Sequence, residues 1–209
     1  MRTLKKTSLL AAAIGAVAAL LFSGTAQAAT TISSGHVDVF AIAYDDTANK
    51  LDLNVKIYST GQTIEPADAL FDVHSGHQVT MASATACRWD AGANWVLPRT
   101  EQTGKIWAGW NTDGLNLASF GGNVKVNLVS YSAPAGGHVS IYDSTTNTTR
   151  LHTNSGCGAS AITVTESHHH PTWVFTEPGV YTLTLRLSGT HSVDGAVTSD
   201  PVTYTFDVG

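Results

Sequence analysis

Between Val180 and Ser188 apolar and polar residues alternate. Leu183, Leu185 and Leu187 fall on one face and Thr182 and Thr184 on the other, a period of two that predicts a half-buried β-strand. Similar runs recur at His36–Ala43, Lys50–Tyr58, Ala69–His74, Asn94–Leu97, Asn123–Ser130, His138–Tyr142, Ala161–Thr165, Trp173–Phe175 and Val202–Val208. Turn residues separate them, among them Asp45-Asp46, Ser59-Thr60-Gly61, Asn111-Thr112-Asp113-Gly114, Gly121-Gly122-Asn123, Gly136-Gly137 and Asp194-Gly195. Helical periodicity is nearly absent. Many short strands at this spacing predict an all-β fold, an immunoglobulin-like antiparallel β-sandwich. Pro178-Gly179-Val180-Tyr181, entering a strand, has the form of a tyrosine corner, in which the phenol bonds back to upstream backbone. The stretch Ala82–Trp110 is less regular and reads as a short helix or an insertion between the sheets. Asp143–Asn154, rich in Thr, Asn and Ser, reads as a hairpin with an exposed loop. With no internal repeat and no low-complexity linker, one domain spanning 35–209 is expected, preceded by a flexible leader at 29–34.

The first 28 residues break this pattern. Arg2, Lys5 and Lys6 precede an apolar run from Leu9 to Phe22, and Ala26-Gln27-Ala28 follows with small residues at the cleavage spacing, so 1–28 is expected to be a secretory signal peptide. The apolar run falls short of the about 20 residues that span a bilayer, no second run follows, and the C-terminal end shows no hydrophobic tail. The expectation is a secreted protein with no membrane insertion and no C-terminal anchor. The formal net charge of −5 grows more negative once the three basic residues of the leader are removed. That balance argues against nucleic acid and anionic membranes as partners. Only 13% of residues are charged while Thr, Ser, Gly and Asn abound, as in secreted β proteins.

Export changes the reading of the two cysteines. Cys87 and Cys157 are expected to form a disulfide in an oxidising compartment, the alternative being a pair of thiolate ligands without the C-x-x-C spacing that zinc favours.

Candidate chemistry lies with the nine histidines. His168 and His170 are two apart, so in extended backbone both imidazoles project from one face. His36 and Asp38 stand in the same relation at the start of the first long strand, and His138 opens another. If these strand ends converge, His36, Asp38, His138, His168 and His170 supply nitrogen and carboxylate ligands for zinc, with copper or manganese as other candidates. Asp38 would serve either as a ligand or as the acceptor that fixes an imidazole tautomer. The other reading is a hydrogen-bonded histidine cluster or a polar face. His74 and His77, three apart around Ser75-Gly76, fall in a turn that could form a metal-capture loop. His152, His169 and His191 look peripheral, with His169 pointing away from its two neighbours.

Five tryptophans offer a competing function. Trp89, Trp95, Trp107, Trp110 and Trp173 could form a sugar-stacking platform, although core packing is the favoured use of such large apolar rings. For catalysis, Glu166 is the one general-base candidate beside the histidine motif. H-E-x-x-H and G-x-S-x-G are both lacking, so no catalytic residue is assigned.

Five motifs in order carry a family resemblance. They are Gly35-His36-Val37-Asp38; Trp95-Val96-Leu97-Pro98; Trp107-Ala108-Gly109-Trp110-Asn111-Thr112; His168-x-His170-x-x-Trp173-x-Phe175-Thr176-x-Pro178-Gly179-Val180-Tyr181; and Tyr204-x-Phe206-x-Val208-Gly209. Together they resemble the actinobacterial surface-anchored protein domain, or choice-of-anchor M domain, over nearly the whole mature chain. The resemblance implies an exported protein, often wall-anchored and often encoded with metal-type ABC transporters. Zinc or manganese handling follows by association, with a transporter component or the cell wall as partner. It places the family's histidine motif on His168 and His170 and its opening motif on His36 and Asp38. The chain departs from the family in lacking a C-terminal anchor, and in carrying Pro171-Thr172 where relatives have a residue followed by Asn. The expected function is extracellular metal capture or delivery. The alternatives are a cell-surface adhesion or carbohydrate-binding sandwich with incidental histidines, and a zinc-dependent hydrolase.

Overall fold

Each of the ten alternating runs falls on a strand, overrunning its ends by at most one residue, in the computed structural model, which describes residues 28–209. The signal-peptide reading, 1–28, lies outside the described residues but for its last, Ala28. The strands form three sheets. The first runs in the order β1 (Thr30–Ile32), β5 (Ala69–Val73), β17 (Val202–Val208), β15 (Gly179–His191), β9 (Val124–Ser132) and β12 (Ala161–Val164), with β16 (Gly195–Thr198) also paired to β15. The second runs β11 (Thr148–His152), β10 (Val139–Asp143), β14 (Thr172–Phe175), β7 (Gly92–Leu97) and β6 (Gln78–Met81). The third, which carries the site described below, runs β13 (His168–His169), β8 (Ile106–Gly114), β2 (Gly35–Asp45), β3 (Lys50–Ile57) and β4 (Gln62–Ile64). The chain is an all-β sandwich.

Three expectations need correction. The second sheet is antiparallel throughout, but the first and third are mixed, because β1 with β5, β5 with β17, and β2 with β8 pair in parallel. The segment 29–34 is not a free leader: Thr30–Ile32 extends the first sheet along β5, and Ile32 is buried. Three β-branched residues are enough to form an edge strand but too few to show a period. The irregular stretch Ala82–Trp110 holds β7 and the first half of β8. From Ala108 to Thr112 every residue of β8 is buried, so both faces are covered and no apolar–polar alternation marks it.

The core forms where the three sheets meet. Phe40 of β2 packs against Trp173 of β14 and Tyr204 of β17, while Phe206 of β17 touches Trp173, Phe175 and Phe71. All six rings are fully buried. The tyrosine corner is present: the Tyr181 hydroxyl donates to the Glu177 carbonyl at 2.7 Å and accepts the Glu177 N–H at 3.0 Å. Cys87 and Cys157 are joined in a disulfide with Cα atoms 5.5 Å apart, tying the segment before β7 to the turn after β11. Among the described residues no helix is long and apolar enough to cross a membrane.

Candidate metal centre

The site is one face of three adjacent strands. On β2 the alternation sends Val37 into the core and puts His36 and Asp38 on the other side. On β8 the same face carries Trp107, Gly109 and Asn111, in register with His36 and Asp38 through the pairs His36–Trp107 and Asp38–Gly109. On β13 His168 pairs with Asn111 and His169 with Trp110, so His170 follows on the face of His168. A bulge on β2 directly after Asp38 shifts the register against both neighbours and ends this regular patch.

Strands two places apart in a sheet lie roughly 9–10 Å from each other. Imidazoles on β13 meet the side chains of β2 because the residue between them is glycine. A Cβ built on Gly109 would sit 2.5 Å from His170 Nδ1 and 2.7 Å from the His169 carbonyl oxygen. The absence of that carbon is the space His170 occupies.

Four ligand atoms converge there. His168 Nε2 lies 3.2 Å from His36 Nε2, 3.1 Å from His170 Nε2 and 3.1 Å from Asp38 Oδ1. Asp38 Oδ1 is 3.6 Å from His36 Nε2 and 3.9 Å from His170 Nε2, and all four atoms fall within 4.8 Å of one another. Bonds of 2.0–2.1 Å in a tetrahedron put ligand atoms about 3.3–3.4 Å apart, so the spacing fits a four-coordinate ion. As a hydrogen-bond network it is only partly satisfied. A neutral imidazole carries one N–H, so His168 Nε2 can satisfy one of its three close neighbours and leaves the others facing bare lone pairs.

The electrostatics keep the ligands available. Burial pushes His170 down to about 4, aided by the neighbouring imidazoles and opposed by Asp38. Burial also lowers His36 despite the attraction of Asp38. At neutral pH both rings are therefore uncharged, the form that binds metal. Asp38 is fully buried and His170 nearly so, whereas the His168 side chain is 40% exposed and forms the open edge. The outer walls are aromatic. Tyr58 stacks on His36 at 3.7 Å between ring centres and Trp107 stacks on His170 at 3.9 Å. Trp107 is itself held by its indole N–H to the Arg99 carbonyl at 2.8 Å. Beneath, the Asn111 side-chain amide donates to Asp38 Oδ2 at 2.7 Å, while its own Oδ1 accepts the Asp113 N–H at 3.1 Å.

Of the five proposed ligands, His36, Asp38, His168 and His170 come together and His138 does not. It precedes β10 of the second sheet, where its ring packs on His152 at 4.8 Å and Nδ1 lies 3.4 Å from the Thr176 hydroxyl and 3.9 Å from Asp90. Opening a strand is not enough when the strand belongs to another sheet. Glu166 also lies elsewhere. The chain becomes extended only at His168, and Glu166 turns to Arg150 at 3.3 Å and to the Thr165 N–H. Burial alone would raise its carboxyl, but those bonds and the Arg150 charge lower it, opposite to what a general base needs. His169 points to the other side, 3.5 Å from Asp143.

His74 and His77 do not form a capture loop. His77 is fully buried, accepts the Ile106 N–H on Nε2 at 2.9 Å and has Nδ1 3.3 Å from the His74 carbonyl, while His74 caps the turn through Gly76. Trp95, Trp110 and Trp173 are buried, as core packing required. Sequence reasoning missed Gly109, Asn111 and Tyr58 as parts of the site. The spacing Trp107-x-Gly109-x-Asn111 was the available signal, hidden because β8 was not recognised as a strand. No protein-family model, curated protein or solved structure matches the chain.

Proposed function

We propose that this chain is an exported zinc-binding protein that captures or delivers the ion outside the cell. The observation that carries the reading is His168 Nε2, which has three polar neighbours within 3.2 Å and at most one proton to offer them. A cation replaces that unsatisfied contact set with four coordinate bonds. Three imidazoles and one carboxylate suit zinc better than manganese, which prefers oxygen ligands and higher coordination. The protein supplies all four tetrahedral positions, the arrangement of a site that holds its ion rather than one that keeps a place open for substrate. Exposed His168 gives the ion a route in and out, consistent with carriage. The family resemblance supports the same direction, with a metal-type transporter component or the cell wall as the receiving partner.

The test is elemental analysis of untagged protein secreted by its host, followed by zinc titration of the stripped protein and of the H168A/H170A double variant. About one zinc per chain, lost in a double variant that keeps its β-sheet spectrum, is the expected result. Metal-free native protein with no sub-micromolar zinc uptake overturns the reading.

A further inference from the structure

Asn111 lies across the strand pair from His168, and the hydrogen bonds of its side chain go to Asp38 and to the Asp113 N–H. Both residues are buried, with Asn111 3% exposed and Asp38 0%. The orientation of the amide is set from behind: Oδ1 accepts the Asp113 N–H, so the NH2 group must face Asp38, where it donates to Oδ2 at 2.7 Å. A carboxylate oxygen that already accepts a short charge-assisted bond is a weaker donor to a cation, and the bond fixes the orientation of the group. Asp38 then presents Oδ1 to the site, 3.6, 3.1 and 3.9 Å from Nε2 of His36, His168 and His170.

We infer that Asn111 is the positioning residue that sets metal selectivity, by confining Asp38 to one oxygen and so holding the site at four ligands. The inference rests on the zinc-binding reading above. Tetrahedral coordination by nitrogen and one oxygen is what zinc accepts. Manganese gains from additional oxygens, and a bidentate carboxylate is the nearest source of one. Releasing Oδ2 therefore weakens the discrimination between the two ions, beyond any general loss of order.

The experiment uses the full mature chain with zinc, manganese and cobalt as probes. Zinc affinity is read by competition with a chromogenic chelator, manganese by the spin resonance of the free ion, and coordination number by the visible bands of bound cobalt. The wild type is expected to give the intense spectrum of tetrahedral cobalt and to prefer zinc. In N111A those bands should weaken and zinc affinity fall about 10–100-fold, the range seen for outer-sphere partners, while manganese affinity holds or rises. N111D is nearly isosteric and keeps an acceptor for the Asp113 N–H. It should shift the zinc-to-manganese ratio about tenfold or more toward manganese. If N111A does not fold, the N111D ratio and cobalt spectrum decide. Parallel losses for both ions with an unchanged cobalt spectrum reduce Asn111 to a packing role and overturn the inference. A wild type that prefers manganese overturns it while leaving metal binding intact. A wild type that binds no ion removes the zinc-binding reading itself.

Discussion

Gly109 shows how much one missing carbon can do. Imidazoles from β13 reach β2 only because the strand between them presents hydrogen instead of a side chain at the crossing point. In Gly109→Ala the new Cβ would stand 2.5 Å from His170 Nδ1, and backbone at the His169 carbonyl leaves little room for retreat. His170 should be displaced from the ligand set. Zinc affinity is expected to fall at least about tenfold, with a stability loss of roughly 1–3 kcal/mol from overpacking. Calorimetric zinc titration beside urea unfolding of the stripped protein measures both, and an unchanged zinc affinity would remove Gly109 from the account. The histidine pairs His36/Asp38 and His168/His170 were legible at this scale because a two-residue spacing fixes a common face. Gly109 and Asn111 were not, because their role is defined by what lies across the sheet from them.

At the scale of elements, the strands with one solvated face announced themselves by alternation, as β15 and β3 do. β8 did not, since burial on both faces erases the period, and β13 is two residues long. β13 owes its place to pairing with β8 and to the Ser167 carbonyl accepting the Thr112 N–H at 2.9 Å. The disulfide acts at this level too. It joins the irregular segment ahead of β7 to the turn after β11 across 70 residues. Closing a loop of that length stabilises by about 4 kcal/mol in the chain-entropy model. Reduction is therefore expected to lower the urea midpoint by on the order of 2 M. The same zinc stoichiometry should persist below the transition, because the four ligands lie on a sheet the disulfide does not enter. A midpoint unmoved by reductant would show that the sheets alone hold these loops.

The whole molecule carries a pH dependence to which histidines outside the metal site contribute. His77 and His152 are buried and held at about 4 by burial, with nearby His74 and His138 respectively lowering them further. Their ordinary value is 6.5, so the unfolded chain takes up protons first as pH falls. Stability from these groups is intact above pH 6.5, declines between 6.5 and 4, and has been lost below that. At pH 5 each costs roughly 2 kcal/mol. Urea unfolding in chelator at pH 7 and pH 5 should show the drop, to which stripped His170 and His36 add, and His77→Gln, whose amide oxygen can accept the Ile106 N–H, should remove the roughly 2 kcal/mol that His77 contributes. Equal pH dependence in that variant would exclude His77 as a source.

What the sequence determined by itself was local and periodic: which segments are strands, that Tyr181 turns a corner, that two cysteines were available to pair, and that two pairs of candidate ligands each share a face. These follow from backbone geometry and nearest neighbours. The tertiary structure decided which of those faces meet. It set β2, β8 and β13 side by side, left His138 on another sheet, turned Glu166 toward Arg150, and opened a gap at Gly109. Strand order, register and the bulge after Asp38 depend on packing among residues far apart in the chain, and no local pattern records them.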